Sequence, residues 1–512
     1  MSEPHTPLVA DSANDRELIA NVHPADWVNP EPADRYHLVV IGGGTAGLVS
    51  AAGAAGLGAK VALVERNMMG GDCLNVGCVP SKGVIGAARA WHGARTAAAE
   101  FGGPAVSGDG DFAAAMERMR RLRAGISSHD SVQRFSDLGI DIFVGDATFV
   151  ASDAVEVDGR RLHFRRAIIA TGARASAPPI PGLGSVDYLT NETLFNLTAV
   201  PKSLCIIGAG PIGCEMAQSF ARLGSEVHLI EAMDRILTVE EEDSSELLRQ
   251  QMLADGVKIY CCGKDTEISG ADNGQKRITV DADLIHGHQE HFDLSVDELL
   301  ISVGRKPNTD GLGLEAAGVE YTKYGVTVND NLRTSNKRIF AVGDIASRFK
   351  FTHAADALAR IAIQNALFFG RKKASDLIIP WCTYTTPEIA HVGLYPKDAA
   401  AKNIPIDTFE VSMASVDRAI LDGEDSGFLR IYTRQGKDEI LGATVVAEHA
   451  GDLIGELSLA MSNGIGMGKI AATIHPYPTQ AEVIKKAGDA WSRTRLTPRT
   501  MKIFKLFFRL FK

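Results

Sequence analysis

The chain is poor in cysteine, poor in aromatic residues and without a basic excess. Seven Cys in 512 residues, an odd number, falls far short of a disulfide-stapled scaffold. That usage suits a reducing compartment, where a disulfide is more often catalytic than structural. Basic side chains number 53 against 63 acidic ones, for a net charge of −10. A general nucleic-acid binder is excluded, because phosphate recognition needs a basic surface. Residues 1–34 carry no apolar run and read as an N-terminal extension without a secretion signal. Residues 38–59 are uncharged and long enough to imitate a membrane span. They are dense in Gly and Ala around a glycine turn, so they read as a soluble βα unit. The expected location is cytoplasmic.

What the chain does have is glycine, 51 residues of it, gathered at turns. A strand, a glycine turn, a helix and a second strand follow one another twice. The first copy runs from the strand Tyr36-His37-Leu38-Val39-Val40-Ile41 through Gly42, Gly44 and Gly47 to a strand ending at Glu65. The second runs from Ser203-Leu204-Cys205-Ile206-Ile207 through Gly208, Gly210 and Gly213 to a strand ending at Glu231. Each is a complete dinucleotide fingerprint with an acidic residue about 20 positions on. The first glycine makes the turn, the second admits a pyrophosphate, and the third lets helix pack on strand. The helix N-terminus offers amide N–H groups to the phosphates, and the acidic residue takes ribose hydroxyls. A carboxylate at Glu231 repels a 2′-phosphate, which favours NAD(H) over NADP(H); Arg235 lies close enough to soften that preference.

Shorter apolar runs deliver further turns, at Thr171-Gly172, Gly304-Arg305 and Gly343-Asp344, and residues 351–369 read as a helix. After Arg371 the pattern alternates strand and helix without a third fingerprint, the mark of a separate α+β domain. Between the first fingerprint and the next helix lies Gly70-Gly71-Asp72-Cys73-Leu74-Asn75-Val76-Gly77-Cys78-Val79-Pro80-Ser81-Lys82. A structural zinc site needs two more ligands nearby, and none is close, so no metal centre is expected. A redox pair needs only the two thiols. Pro80 belongs in a first helical turn, which puts Cys78 at a helix N-terminus where a thiolate is stabilised, with Lys82 a turn further on.

The cysteine segment, the two fingerprints, the Thr171-Gly172 and Gly343-Asp344 turns and Tyr384-Thr385-Thr386-Pro387-Glu388 resemble the class I pyridine nucleotide–disulfide oxidoreductases over about residues 35–490. The resemblance implies an α/β fold with two Rossmann-like domains, for FAD and NAD, and a C-terminal α+β dimerisation domain. It implies an FAD domain over 35–187 and 302–372, an NAD domain over 188–301, an interface domain over 376–490 and a tail over 491–512. Cys78 is then the flavin-side sulfur and Cys73 the interchange thiol. Lys82 sits near the flavin and pairs with Glu215. Asp344 takes the FAD ribityl chain, Thr171 and Gly172 line the FAD site, and Gly304 lines the nicotinamide site. Hydride passes from the nicotinamide to FAD, then electrons pass to the disulfide and to an acceptor. Relatives of this kind are homodimers.

The chain also departs from that pattern. Disulfide reductases of the family carry a catalytic His–Glu pair; aligned on Pro478-Thr479 and Glu482, the His position here holds Tyr477. A phenol with pKa near ~10 is a poor base. His475, two residues upstream, is the substitute candidate. Tyr in this place resembles mercuric reductases, whose acceptor is a metal ion, and it counts against a dihydrolipoamide dehydrogenase. Similar mercuric reductases also carry a C-terminal cysteine pair and an N-terminal metal-binding domain; this chain has no Cys after Cys382 and does not show that domain. Cys261-Cys262 reads as two buried structural thiols pointing to opposite faces of a strand. The tail sets Lys502, Lys505, Arg509 and Lys512 on one helical face opposite Phe, Leu and Ile. It suits a peripheral membrane surface or packing on the chain's own dimer. A membrane position in turn motivates a quinone acceptor as a further alternative.

Overall fold

The computed structural model describes residues 8, 12–271, 274–284 and 288–511. They form two compact units. Residues 8, 12–98, 104–236 and 256–377 belong to the first, and residues 99–103, 237–255 and 378–511 to the second.

In the first unit a helix α1 (Ala13–Val22) precedes the strand β1 (Tyr36–Ile41). Then follow α2 (Thr45–Gly56), β2 (Val61–Glu65), a short helix α3 (Gly71–Asn75), α4 (Cys78–Phe101) and α5 (Phe112–Ser127). β1 lies between β2 and the strand Arg160–Ile169, parallel to both, with Leu38 opposite Val61 and Arg166. Strand Ile339–Ala341 adds to Arg160–Ile169, also in parallel. Burial on both faces explains why β1 and β2 are nearly all apolar. Leu38 and Val40 pack on α2 and the helix Thr352–Leu367, while Val39 and Ile41 face the opposite core with Phe164 and Ile169. A second sheet carries the second fingerprint. Its strand Ser203–Ile207 lies between Glu226–Ile230 and Glu298–Ile301, parallel to both.

The second unit centres on a five-stranded antiparallel sheet. Its order is Trp381–Thr383, Glu388–Gly393, Ile440–Ala447, Phe428–Arg434, Ile406–Ser412. Helices Ala450–Ser462 and Glu482–Thr494 close its core through Leu457, Val483 and Ile484. Residues 237–255 are bound here. The Glu240 carboxylate accepts from Trp381 Nε1 at 2.9 Å and from the Tyr395 hydroxyl at 2.5 Å, and Arg430 Nη2 meets Asp243 at 2.5 Å. The C-terminal helix Pro498–Leu510 is capped by Thr497, whose hydroxyl accepts from the Thr500 N–H, and no residue in it is buried. Among the described residues no helix is long and apolar enough to cross a membrane.

The mixed α/β architecture expected from sequence is the architecture observed, including the α+β character of the last domain. One reading is corrected. Cys261 and Cys262 do lie on a strand, Lys258–Gly270, but the pairing slips just after Cys261 and Cys262 takes a left-handed φ of 57°. Cys261 is buried whereas Cys262 is half-exposed, because a bulge breaks the two-residue alternation that the sequence argument assumed. Lys512, counted on the basic face of the tail, lies outside the described residues.

Candidate functional site

The first fingerprint is a tight stack of backbone. Gly42 has φ of 105°, and a Cβ there would stand 2.4 Å from the Ala170 carbonyl oxygen. A Cβ on Gly47 would stand 1.8 Å from the Gly42 oxygen, so α2 sits directly on the turn. Gly44 meets only Gly71 Cα, at 3.7 Å. Glu65, at the end of β2, accepts from Gly43 N at 2.5 Å and from Asn67 N at 2.7 Å. Burial raises its pKa against those two donors.

The second fingerprint repeats the geometry. Gly208 has φ of 105°, and a Cβ on Gly213 would stand 1.9 Å from its oxygen. At Gly210 a Cβ would meet nothing within 4 Å. Glu231 accepts from Ala209 N at 2.8 Å and from Met233 N at 3.0 Å. Ser302, which the sequence did not single out, donates to the Gly208 oxygen at 2.7 Å. Arg235 lies 3.7 Å from Asp234. Gly304 takes φ of 76°. Gly44, Gly210 and Gly172 have little or nothing in their Cβ directions, so the backbone there is open to close approach by another group.

The cysteine segment folds onto the first turn. Gly70 and Gly71 both have positive φ, and a Cβ on Gly71 would meet Gly44 Cα at 2.6 Å. α3 carries Cys73 and α4 begins at Cys78. The Cys73 and Cys78 thiols hydrogen-bond to each other, which lowers the Cys78 pKa to about 6. Thr352 Oγ1, 3.4 Å away, and the Lys82 charge act in the same direction, while burial and the Glu215 charge oppose it. The same hydrogen bond and burial push Cys73 well above the ordinary thiol range. Lys82 Nζ pairs with Glu215 Oε2 at 2.9 Å.

Beside this pair stands a charged group of Arg305, Asp72 and Asp344. Arg305 bonds Asp72, donates to the Ala173 carbonyl at 2.6 Å and lies 3.6 Å from Asp344. Burial raises the Asp344 pKa, and Lys350, whose ammonium reaches the Asp344 carbonyl, opposes this together with Arg305. Thr171 and Asn308 exchange hydrogen bonds at 3.0 and 2.8 Å, and Gly172 follows with φ of 67°. Cys73, Cys78, Lys82 and Glu215 thus come together as expected, joined by Thr352. The signal for Arg305 and Asp72 was adjacency to residues already named; for Thr352 there was none.

The remaining candidates lie in the second unit. His475 Nε2 meets Glu456 at 3.0 Å, and its side chain is nearly buried. Tyr477 is exposed and donates to Asp417 at 2.9 Å, which raises its pKa. Glu482 begins the helix Glu482–Thr494, 3.8 Å from Lys486.

Residues 36–359 match the family described as pyridine nucleotide-disulphide oxidoreductase, and residues 379–488 match its dimerisation domain. A mercuric reductase from Bacillus cereus is 36% identical over 462 residues, spanning 90% of this chain and 72% of that protein. A dihydrolipoyl dehydrogenase from Geobacillus stearothermophilus is 32% identical over 462 residues, spanning 88% of this chain and 95% of that protein. Among solved structures, the HOCl-induced flavoprotein disulfide reductase RclA from Escherichia coli matches with TM-score 0.78 at 28% identity, covering 89% of this chain and 99% of that one. The same protein in its Cu(II) complex matches at 0.77 and 27% identity, covering 88% and 98%.

Proposed function

The chain belongs to the pyridine nucleotide-disulphide oxidoreductase family, and we propose that it carries two electrons from NADH, by way of FAD, to the Cys73–Cys78 disulfide and on to a metal ion. The observation that carries this reading is the contact between the two sulfurs, with Cys78 acidic and Lys82 beside it. Bound FAD would supply the carrier between hydride donor and cysteines. Gly42, Gly44, Gly47 and Glu65 would hold its pyrophosphate and ribose, with Thr171, Gly172 and Asp344 along the rest. Gly208, Gly210, Gly213 and Glu231 would hold the nicotinamide nucleotide, with Gly304 at the nicotinamide end. The Glu231 carboxylate favours NADH by repelling a 2′-phosphate.

Opening the disulfide takes two electrons and one proton, and leaves one thiol and one thiolate. Cys78 keeps the thiolate, because Cys73, Thr352 and Lys82 all stabilise it. Cys73 must lose its own proton before it attacks a disulfide acceptor, and its environment resists that loss. A metal ion that binds both sulfurs drives that proton off by itself, and so needs no base. Tyr477 in place of a base fits such an acceptor. A second reading, a small disulfide such as lipoamide, is favoured by the His475–Glu456 pair, which is the arrangement of an acid–base unit.

The test is anaerobic turnover of the FAD-loaded enzyme with NADH and, in turn, mercuric ion, lipoamide, glutathione disulfide and a quinone. Cys73→Ser and Cys78→Ser should each cut turnover with metal or disulfide by about 100-fold or more. Quinone reduction that survives both substitutions, with no metal or disulfide turnover in the wild type, sinks the proposal. His475→Ala separates the two readings, since it should slow only a disulfide acceptor.

We also propose that the enzyme, whose dimerisation-domain match supports a homodimer, rests on the cytoplasmic membrane face through its C-terminal helix. The support is the exposure of Ile503, Phe504, Phe507, Phe508 and Leu510 opposite Lys502, Lys505 and Arg509. An interfacial helix that meets anionic lipid has this pattern. Removal of residues 499–512 should abolish sedimentation with anionic vesicles. Retention by the truncated protein, or a loss of dimer on truncation, would assign the helix elsewhere.

A further inference from the structure

The segment ahead of β1 reaches the redox cysteines through a closed circuit of buried hydrogen bonds. Ser12 caps α1, its hydroxyl accepting from the Asp15 N–H. The Asp15 carboxylate, 1% exposed, meets Arg123 Nη2 of α5 at 2.7 Å. Arg123, also 1% exposed, turns its Nη1 to the Asn75 carbonyl at 2.7 Å. Asn75 is the last residue of α3, two places beyond Cys73. Its side-chain amide donates to the Met69 and Gly71 carbonyls at 3.0 and 2.9 Å. The Met69 N–H then returns to α1, donating to the Val22 carbonyl at 3.0 Å. His23 adds a further bond to the Asn67 carbonyl.

Physical chemistry makes this circuit expensive. A five-residue helix does not hold itself together, and its last carbonyls lack partners within it. A guanidinium and a carboxylate taken fully out of water cost several kcal/mol each unless paired, and an apolar pair often replaces such a couple without loss of stability. Stability alone therefore gives little reason for this pair, whereas fixing a geometry does. The guanidinium is the one group in the circuit that ties the C-terminal end of α3 to both α1 and α5.

We propose that α1, acting through Asp15 and Arg123, is a positioning brace that sets where α3 presents the Cys73 sulfur to Cys78. The inference rests on reading Cys73 and Cys78 as the redox pair. It assigns Asp15 and Arg123 no contact with substrate. The Cys73 hydrogen bond is the largest influence that lowers the Cys78 pKa, so a displaced α3 shows itself as a less acidic Cys78.

The experiment uses the reduced holoenzyme and follows the rate of Cys78 alkylation by iodoacetamide against pH, site by site, by peptide mass spectrometry. Asp15→Asn strands the buried guanidinium and lowers the melting temperature. The double variant D15L/R123M replaces the ion pair with apolar groups and leaves Arg120, 3.9 Å from Asp15, held by the Phe195 and Leu197 carbonyls. In both, the Cys78 midpoint should rise, with alkylation below the midpoint slowed at least about threefold and the rate at high pH unchanged. A wild-type midpoint in D15L/R123M overturns the brace, whatever the melting temperature does. Failure of the redox reading would show separately, as wild-type turnover in Cys73→Ser.

Discussion

Cys73 and Cys78 carry the same side chain, and the fold drives them in opposite directions. Cys78 accepts from Cys73 and Thr352 near the positive end of α4 and faces the Lys82 charge, so it ionises at about 6. Cys73 supplies the hydrogen bond and keeps its proton. The signs of two substitutions follow. Lys82→Met removes a favourable charge and should raise the Cys78 midpoint, whereas Glu215→Gln removes an opposing one and should lower it. The pH profile of Cys78 alkylation reads both, and shifts of the same sign would contradict this account. In wild type, alkylation should fall tenfold per pH unit below about pH 6 as the thiolate is lost. The helix start at Cys78 and the place of Lys82 about one turn further on were legible from Pro80 and from spacing. Thr352 was not, because it lies 274 residues away and only the fold brings it near.

At the scale of elements, the fingerprints were the most readable part of the chain. The expected strands Tyr36–Ile41 and Ser203–Ile207 have the observed boundaries, because an apolar run stopped by glycine leaves little choice. Two glycines of one fingerprint should nevertheless fail differently. Gly213→Ala places a methyl 1.9 Å from the Gly208 oxygen and should cost about 1–3 kcal/mol of stability. Gly210→Ala meets nothing within 4 Å, so the melting temperature should hold while KM for NADH rises about tenfold. Equal loss of stability in the two variants would mean that Gly210 serves packing and not the nucleotide. The misreading of Cys262 marks the limit at this scale. A bulge leaves no reliable mark in sequence, since it arises from how one strand fits its neighbours.

At the scale of the whole molecule, the two family matches tie residues 36–359 to nucleotide chemistry and 379–488 to dimerisation. The C-terminal helix lies outside both, and its apolar residues are 43–74% exposed from Ile503 to Leu510. If anionic lipid covers it, vesicle binding should weaken steeply between low and physiological salt, because the helix carries Arg499, Lys502, Lys505 and Arg509. Salt-independent binding would point to apolar contact alone. Residues 237–255 show the other side of this scale. They sit within the span 36–359 that the first family model matches, yet Glu240 and Asp243 are bound to the five-stranded sheet through Trp381, Tyr395 and Arg430.

The sequence by itself determined the local elements and the chemistry they carry: two glycine turns with their carboxylates, a thiol pair at a helix start, and an α+β domain after Arg371. Those features depend on neighbours a few residues apart, where spacing and side-chain type settle the conformation. Only the tertiary structure decided that Cys73 gives its hydrogen bond to Cys78, what Arg305 and Thr352 touch, and that Asp15 is linked through Arg123 to the cysteine helix. Each of these is a contact between groups distant along the chain, and buried charge takes its meaning from whatever burial has placed beside it.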